Sequence, residues 1–301
     1  MRSITQEQIS SLLDRHQLPS SYADGLVSFM LPVAKQLCQK KNHPPLIVGI
    51  QGSQGSGKST FAAFLKLLLE HEFNRQTEIC SIDDFYLSRA ERTTLAENIH
   101  PLLQTRGVPG THHTDLIEQQ FDLFRSGNAL TLPQFDKATD DPKPKSEWLS
   151  TKPADILIFE GWCVGLFPQN ENELTHAVNE LEQNEDKCGE WRAFVNQKLN
   201  DEYRAIFKKL DTLIVLQAPS FDCVFEWRQL QEQKLINSLT AQGKSLDLTM
   251  NPKQIERFIQ HYQRLTEHGL KTLKDHADFV LQLNTDHKIT SLADKITKGI
   301  R

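Results

Sequence analysis

The chain has 301 residues and a formal net charge of -5, with 24% charged and 38% apolar residues. This length can bury a large core, and the acidic balance argues against non-specific binding to nucleic acid. Its apolar runs are too short for a membrane span, and the N-terminus lacks the apolar core of a signal peptide. Five scattered cysteines without a C-x-x-C pair favour neither a disulfide framework nor a zinc site. We therefore expect a cytoplasmic protein without nucleic-acid or membrane partners.

The distribution of apolar residues predicts an α/β fold. Residues 3–41 read as an amphipathic helical segment that ends before the Asn42-His43-Pro44-Pro45 stretch, because proline stops a helix. Five short segments rich in Ile, Leu and Val then read as buried strands: 46–50, 78–82, 155–159, 212–217 and 278–283. Apolar strands separated by helices are typical of a doubly wound parallel sheet of about five strands, covered by helices on both faces. We expect one domain over residues 1–301, with an N-terminal helical extension at 1–42 and an insertion at 165–205.

Two segments between the strands lack a clear periodicity. Residues 135–153 are polar and rich in proline, which predicts a loop. Residues 169–190 are acidic, and we expect this part of the insertion to be loose and to become helical near Trp191. A solvated surface is the favoured interpretation of its charges, and recruitment of a partner is the alternative.

Residues 52–59 read G-S-Q-G-S-G-K-S, a complete match to the phosphate-binding pattern G-x-x-x-x-G-K-[ST]. The loop follows the first predicted strand and precedes an apolar helical segment, so backbone N–H groups and a helix N-terminus can face the phosphates. Lys58 is expected to reach the β- and γ-phosphates, and the Ser59 hydroxyl to ligate Mg²⁺. The predicted ATP-binding residues are Gly52, Ser53, Gln54, Gly55, Ser56, Gly57, Lys58, Ser59 and Thr60.

Acidic residues follow two of the predicted strands at the edge where ligands of such sheets bind. Asp83 and Asp84 close the second strand, and one of them could accept the proton of a hydroxyl that attacks the γ-phosphorus. The alternative is a pair of capping aspartates. Glu160 ends the third strand as a Walker B acid would, and we expect it beside Mg²⁺ directly or through water.

Cationic and polar loop residues are candidates for holding an acceptor. Arg106 could bind a carboxylate or phosphate with both arms of its guanidinium, with His112 and His113 in the same turn. Lys137 is a second candidate, for which an exposed lysine without a role is the alternative. Arg228, with Lys234, could belong to a lid that closes on the phosphates, or to an ordinary basic surface helix.

Together these motifs resemble the P-loop kinase group of uridine kinase, phosphoribulokinase and pantothenate kinase. Asp83-Asp84-Phe85-Tyr86 is similar to the D-x-F-[YHL] element of that group, and the resemblance places Asp83 at the catalytic base. Within the group the chain is most similar to the D-glycerate 3-kinase family, over nearly everything from residue 46. That family often has a G-D-R stretch where residues 138–142 read A-T-D-D-P, without the arginine.

The resemblance implies an ATP- and Mg²⁺-dependent kinase that converts D-glycerate to 3-phosphoglycerate. Lys58, Asp83 and Glu160 would be catalytic, Ser59 and Glu160 would hold the metal, and Arg228 would contact ATP. Predicted acceptor residues are Asp84, Tyr86, Arg106, His112, His113 and Lys137. The alternatives are a kinase for a nucleoside or a pantothenate-like alcohol, and a non-catalytic nucleotide-binding protein. A regulatory GTPase is disfavoured because no N-K-x-D element follows a late strand.

Overall fold

A computed structural model describes residues 4–16, 18, 20–40, 45–243, 245–246 and 249–295. The strands of its main sheet are β1 (Leu46–Gly52), β2 (Thr77–Ser81), β3 (Ile156–Gly161), β4 (Thr212–Gln217), β5 (Phe279–Leu283) and β6 (Ile289–Asp294). The α-helices are α1 (Gln6–Arg15), α2 (Leu31–Gln39), α3 (Lys58–His71), α4 (Arg89–Asn98), α5 (Thr114–Arg125), α6 (Glu180–Glu185), α7 (Glu190–Lys198), α8 (Arg204–Phe207), α9 (Asp222–Ala241) and α10 (Pro252–Thr272). Among the described residues, no helix is both long and apolar enough to cross a membrane.

The sheet order is β6-β5-β4-β1-β3-β2, with every neighbouring pair parallel except β5 and β6. The predicted α/β sheet is therefore confirmed, and each predicted strand is present within two residues of its expected bounds. The prediction of about five strands omitted β6, an antiparallel edge strand. Its side chains are half-buried or exposed, so its sequence lacks the apolar run that marks the central strands.

Two hydrophobic layers cover the two faces of this sheet. On β1 the side chain of Ile47 faces one layer, and its neighbours Leu46 and Val48 face the other. The first layer is completed by α5, α7, α8 and α10, and the second by α1, α2, α3 and Trp227 of α9. Because strand side chains alternate between faces, a continuous apolar strand requires helices on both sides.

The N-terminal segment is helical, as predicted for residues 3–41, and is divided into several helices. Between α1 and α2 lie a 3₁₀ turn at Ser20–Ala23 and a π-helix at Leu26–Met30. Thr5 and Gln8 form a reciprocal capping box that begins α1. Residues 1–3 and the predicted stop at residues 42–44 lie outside the described residues.

The predicted loop at 135–153 takes part in two very short antiparallel pairs, one of them with residues that precede it. Thr131–Leu132 pairs with Leu149–Ser150, and Phe135–Asp136 pairs with Asp141–Pro142. The second pair bends the chain back toward β2, because the backbone N–H of Phe135 donates to Asp84. The loop is thus fixed at the carboxyl edge of the sheet.

The acidic insertion departs from its prediction. It forms α6 before α7, and two of its acids are buried instead of solvated. Glu182 is 0% exposed and accepts hydrogen bonds from Arg264 of α10, while Asp186 is 1% exposed and pairs with Arg192. The other acids of residues 169–190 are exposed, as expected of a solvated surface, and Glu182 and Asp186 are the exceptions because arginines compensate the burial of their carboxylates.

Candidate active site

The phosphate loop connects β1 to α3 and takes the shape that its glycines permit. Gly55 and Gly57 have φ angles of 76° and 87°, in the left-handed region that favours glycine. A Cβ atom at Gly55 would lie 2.7 Å from the Cβ of Trp227, so α9 packs directly on the loop. Within the described chain, three buried polar atoms of the loop have no protein hydrogen-bond partner: Ser53 Oγ, Gln54 Oε1 and Ser56 Oγ. Such unpaired groups are typical of a site that receives a polar ligand.

Lys58, Ser59 and Glu160 meet where β1 and β3 end side by side. Glu160 lies opposite Ile50 on one side and Ser81 on the other, which sets it at the carboxyl edge. The Ser59 hydroxyl donates to Glu160 Oε1 at 2.7 Å, and Lys58 Nζ donates to the carbonyl oxygen of Ser53 at 3.0 Å. Burial lowers the pKa of Lys58 and raises the pKa of Glu160, and the attraction between the two charges opposes both shifts.

The donor set at this point fits Mg²⁺. The described residues contain no cluster of three or more His, Cys, Asp or Glu side chains that could hold a metal ion. A hydroxyl and one carboxylate side by side nevertheless suit Mg²⁺, which keeps several waters and takes other oxygens from the phosphates. Ser59 and Glu160 are the residues that would hold it.

Asp83 forms the centre of a polar group beyond β2. Its Oδ1 accepts a hydrogen bond from the Tyr86 hydroxyl at 2.7 Å, and its Oδ2 accepts one from Lys137 Nζ at 2.8 Å. Burial alone would raise the pKa of Asp83, but the charge of Lys137 and the hydrogen bonds from Lys137 and Tyr86 lower it to about 2. Asp83 is therefore a carboxylate throughout the neutral range.

Asp84 has a different environment from its neighbour. Its Oδ1 accepts a hydrogen bond from the backbone N–H of Phe135 at 3.1 Å. Burial raises the pKa of Asp84 to about 6, and the nearby charge of Asp83 adds to the shift. Asp84 ties β2 to the 135–153 loop and becomes protonated at a much higher pH than Asp83.

Arg106 lies against the aromatic side chains that surround Asp83. Its guanidinium carbon is 5.9 Å from the ring centre of Tyr86 and 5.4 Å from that of Phe135. The carbonyl oxygen of Arg106 accepts a hydrogen bond from the Tyr262 hydroxyl at 2.9 Å, and its guanidinium pairs with Asp140. The structure thus places the predicted acceptor cation against Tyr86, whose hydroxyl donates to the predicted base.

The two histidines of the Arg106 turn point to different surroundings. His112 is buried and its ring packs on Tyr86 with 4.7 Å between the ring centres. His113 is about one-third exposed and faces Glu91, with 3.5 Å between Nε2 and Oε2. Only His112 therefore lies in the group formed by Asp83, Tyr86 and Arg106.

The ring of His112 contacts the Tyr203 hydroxyl. The Tyr203 hydroxyl accepts from the backbone N–H of Gly110 at 3.0 Å and lies 2.5 Å from His112 Nδ1. Donation by this hydroxyl to Nδ1 would leave the imidazole proton on Nε2. Burial lowers the pKa of His112 to about 3, so the ring is neutral. Nε2 is buried without a protein partner in the described region.

Two predicted ATP contacts make other bonds in this conformation. Arg228 pairs with Glu232 one helical turn along α9, with 2.7 Å between Nη2 and Oε2, and lies over the ring of Phe258. The Thr60 hydroxyl is 3.2 Å from Nδ1 of His16, at the end of α1. The backbone of Thr60 remains in the first turn of α3 behind the phosphate loop.

Several residues of the site were not predicted as such: Phe135, Asp140, Tyr203 and Tyr262. Each reaches the site from a loop or helix far away in the sequence. The approach of Tyr262 depends on Gly107, because this glycine has a φ of 129° and a Cβ atom there would be 2.2 Å from the Tyr262 hydroxyl oxygen. A side chain at position 107 would collide with Tyr262, and glycine has none.

Comparison with known proteins agrees with this geometry. Residues 47–180 match the profile of the phosphoribulokinase/uridine kinase family. An uncharacterized kinase of Schizosaccharomyces pombe is 35% identical over 229 residues, which cover 72% of this chain and 78% of that protein. The chain belongs to the phosphoribulokinase/uridine kinase family. This kinase is also 26% identical over 241 residues to the chloroplastic D-glycerate 3-kinase of Arabidopsis thaliana, covering 76% of the chain and 49% of that protein.

Among solved structures, the kinase is similar to a D-glycerate 3-kinase from Cryptococcus neoformans. The TM-score is 0.71 at 25% sequence identity, and the match covers 92% of this chain and 99% of that one. The resemblance to the P-loop kinase group is confirmed, and with it a phosphotransferase built on a nucleotide-binding loop.

Proposed function

We propose that this kinase transfers the γ-phosphoryl group of ATP to the 3-hydroxyl of D-glycerate, with Mg²⁺, to give ADP and 3-phosphoglycerate. The observation that carries the proposal is the placement of Arg106 against Tyr86, whose hydroxyl is bonded to Asp83. A cation separated from a carboxylate base by one tyrosine ring suits a small acceptor that has an anionic group beside its reactive hydroxyl. Similarity to two D-glycerate 3-kinases supports the same acceptor.

On the nucleotide side, charge stabilisation is the main task of the protein. Lys58 lies at the start of α3, where its ammonium can leave the Ser53 carbonyl for the β- and γ-phosphates. Ser59 and Glu160 would hold Mg²⁺, which neutralises the phosphate charges when bound. Arg228 would exchange Glu232 for phosphate oxygens when α9 closes over ATP.

On the acceptor side, Asp83 orients the hydroxyl and receives its proton. The 3-oxygen forms a bond to the γ-phosphorus while the bond from that phosphorus to the β–γ bridging oxygen breaks, and its electron pair leaves with ADP. A carboxylate with a pKa of about 2 suffices because the transition state of phosphoryl transfer is loose and the proton moves late. Lys137 and Tyr86 keep Asp83 ionised and in place.

The acceptor carboxylate would be held by the Arg106 guanidinium and by the Nε2–H of His112. Of the two histidines, His112 is the one that packs on Tyr86. The ring of Tyr86 would line the acceptor site, and the exposed ammonium of Lys137 would lie at its edge. Asp84 would support Tyr86 indirectly, through its hydrogen bond to Phe135. We place the enzyme in the cytoplasm, since all five of its cysteines are free thiols.

The test is a coupled assay of ADP release with a panel of D-glycerate, L-glycerate, glycerol, pantothenate and uridine. We expect D-glycerate to be the best acceptor and glycerol, which lacks the carboxylate, to be poor. Good turnover of pantothenate or uridine with none of glycerate would refute the acceptor and leave the kinase assignment standing.

Arg106 provides the matched variants. Arg106→Ala should raise the KM for glycerate by about 10- to 150-fold, the value of losing charged hydrogen bonds, with little change in the KM for ATP. Arg106→Lys keeps the charge but loses the planar fork, so it should also impair glycerate binding. Glycerate kinetics that are indifferent to both variants would contradict the role of Arg106.

A further inference from the structure

Arg92 is a charged side chain that the proposed chemistry does not use, yet it is only 1% exposed. It projects from α4, and its guanidinium donates four hydrogen bonds. Nε donates to the Leu87 carbonyl at 3.2 Å and Nη1 to the Gln104 carbonyl at 2.8 Å. Nη2 donates to Asp140, to its carbonyl oxygen at 2.9 Å and to its Oδ2 at 2.8 Å. Pairing of four of its five N–H donors offsets much of the cost of burying the charge.

These bonds tie together three loops that each carry a proposed acceptor residue. Leu87 follows the Asp83 turn, Gln104 precedes Arg106, and Asp140 follows Lys137. A buried guanidinium that contacts all three loops sets their relative positions. Its planar, rigid donors make it suited to this task.

Asp140 connects buried Arg92 to the proposed acceptor site. One of its carboxylate oxygens accepts from buried Arg92 and the other from Arg106. Its φ of 60° lies in the left-handed region, which aspartate tolerates better than most residues. Because buried Arg92 holds one oxygen of the Asp140 carboxylate, the other oxygen can fix the position of the Arg106 guanidinium.

We propose that Asp140, locked by Arg92, is a positioning residue that orients the Arg106 guanidinium toward the anionic group of the acceptor. The inference rests on the proposed function, and it specifies how the acceptor is aligned. Arg106 has five N–H donors, and the bond to Asp140 engages Nη1, which leaves others for a carboxylate. The alternative role for Asp140 is competition with the acceptor, because a carboxylate bound to Arg106 would weaken acceptor binding.

The sign of one substitution separates the two roles. Asp140→Ala should raise the KM for glycerate about tenfold and lower kcat, with the KM for ATP unchanged, because a misaligned acceptor loses reactivity as well as affinity. A lowered KM would identify Asp140 as a competitor and overturn the proposal. Asp141→Ala is the matched control, because that neighbouring carboxylate accepts from the backbone N–H of Arg89, whereas Asp140 accepts from the side chains of Arg92 and Arg106.

A double-mutant cycle tests whether Asp140 acts through Arg106. In the background of Arg106→Ala, the further change Asp140→Ala should have little effect on the KM for glycerate. Additive effects would mean that Asp140 merely supports the loop, and would refute the positioning role. Thermal unfolding of each variant shows whether the fold is retained.

A readout without acceptor turnover keeps this test separate from the proposed function. In protein labelled with ¹⁵N-arginine, the Arg106 side-chain signal is assigned by its loss in Arg106→Lys. We expect hindered guanidinium rotation in the free enzyme and fast rotation in Asp140→Ala. Equal rotation in both would overturn the positioning role, whereas hindered rotation with no glycerate turnover would refute only the acceptor.

Discussion

The two adjacent aspartates can be told apart by pH, since their surroundings separate their pKa values by several units. Lys137 and Tyr86 bring the pKa of Asp83 to about 2, whereas burial brings that of Asp84 to about 6. A carboxyl group serves as base or as hydroxyl acceptor only when it is ionised. The acid limb of the rate profile therefore reports which of the two is used.

The expected difference is large within an accessible pH range. At pH 5, a group with a pKa of about 6 is ionised in only about a tenth of the molecules, while one with a pKa of about 2 is ionised in nearly all. If Asp83 is the base, kcat/KM for the acceptor should have no acid limb near pH 6. If Asp84 were the base, kcat/KM would fall about tenfold between pH 7 and pH 5.

The assay compares wild type, Asp83→Asn and Asp84→Asn from pH 5 to pH 8 by coupled ADP release. Protonation of ATP acts equally on all three enzymes, so it cancels from the comparison. We expect Asp83→Asn to lose about 10²–10⁴-fold in turnover at every pH, and Asp84→Asn to follow the wild-type profile at a modestly reduced rate. An acid limb near pH 6 that disappears in Asp84→Asn, together with a larger loss in that variant, would refute the reasoning.

Three further outcomes follow from the site. Lys58→Ala should reduce turnover at least ~10²-fold and weaken ATP binding less, measured by steady-state kinetics and nucleotide titration; near-normal turnover would contradict the loop assignment. Glu160→Gln should raise the Mg²⁺ concentration for half-maximal activity, and an unchanged Mg²⁺ dependence would leave Glu160 a strand-end acid without a metal role. Tyr203→Phe removes the hydroxyl between Gly110 and His112, so it should raise the KM for glycerate several-fold and leave the KM for ATP unchanged; a raised KM for ATP instead would place Tyr203 in the nucleotide site.

The sequence predicted those parts of the molecule whose signals are local. The phosphate loop, the acids that follow β2, the acid near the end of β3 and the apolar strands each show in fewer than about ten residues. Tyr203 and Tyr262 were missed because the bonds that bring them to the site join residues 91 and 156 positions apart. Their local sequence shows only helices with apolar faces.

The sequence also did not show which charged residues are buried. Glu182 belongs to a run that looks like a solvated acidic surface, and only the fold shows that Arg264 lies opposite it. Asp140 likewise stood out only as a departure from a G-D-R stretch. Charges that are compensated across the chain are indistinguishable from exposed ones until the partners are known.

The central position of β1 determines when its sheet can assemble during protein synthesis. β1 is bonded on one side to residues 156–161 and on the other to residues 212–217, so its neighbours leave the ribosome about 110 and about 165 residues after it does. At ordinary rates of synthesis this delay is on the order of ten seconds, during which an apolar strand has no partner on either edge. A nascent chain that ends before residue 212 lacks β4, so β1, the strand that leads into the phosphate loop, is still unpaired on one edge. We therefore expect nucleotide to stabilise this kinase only late in its synthesis.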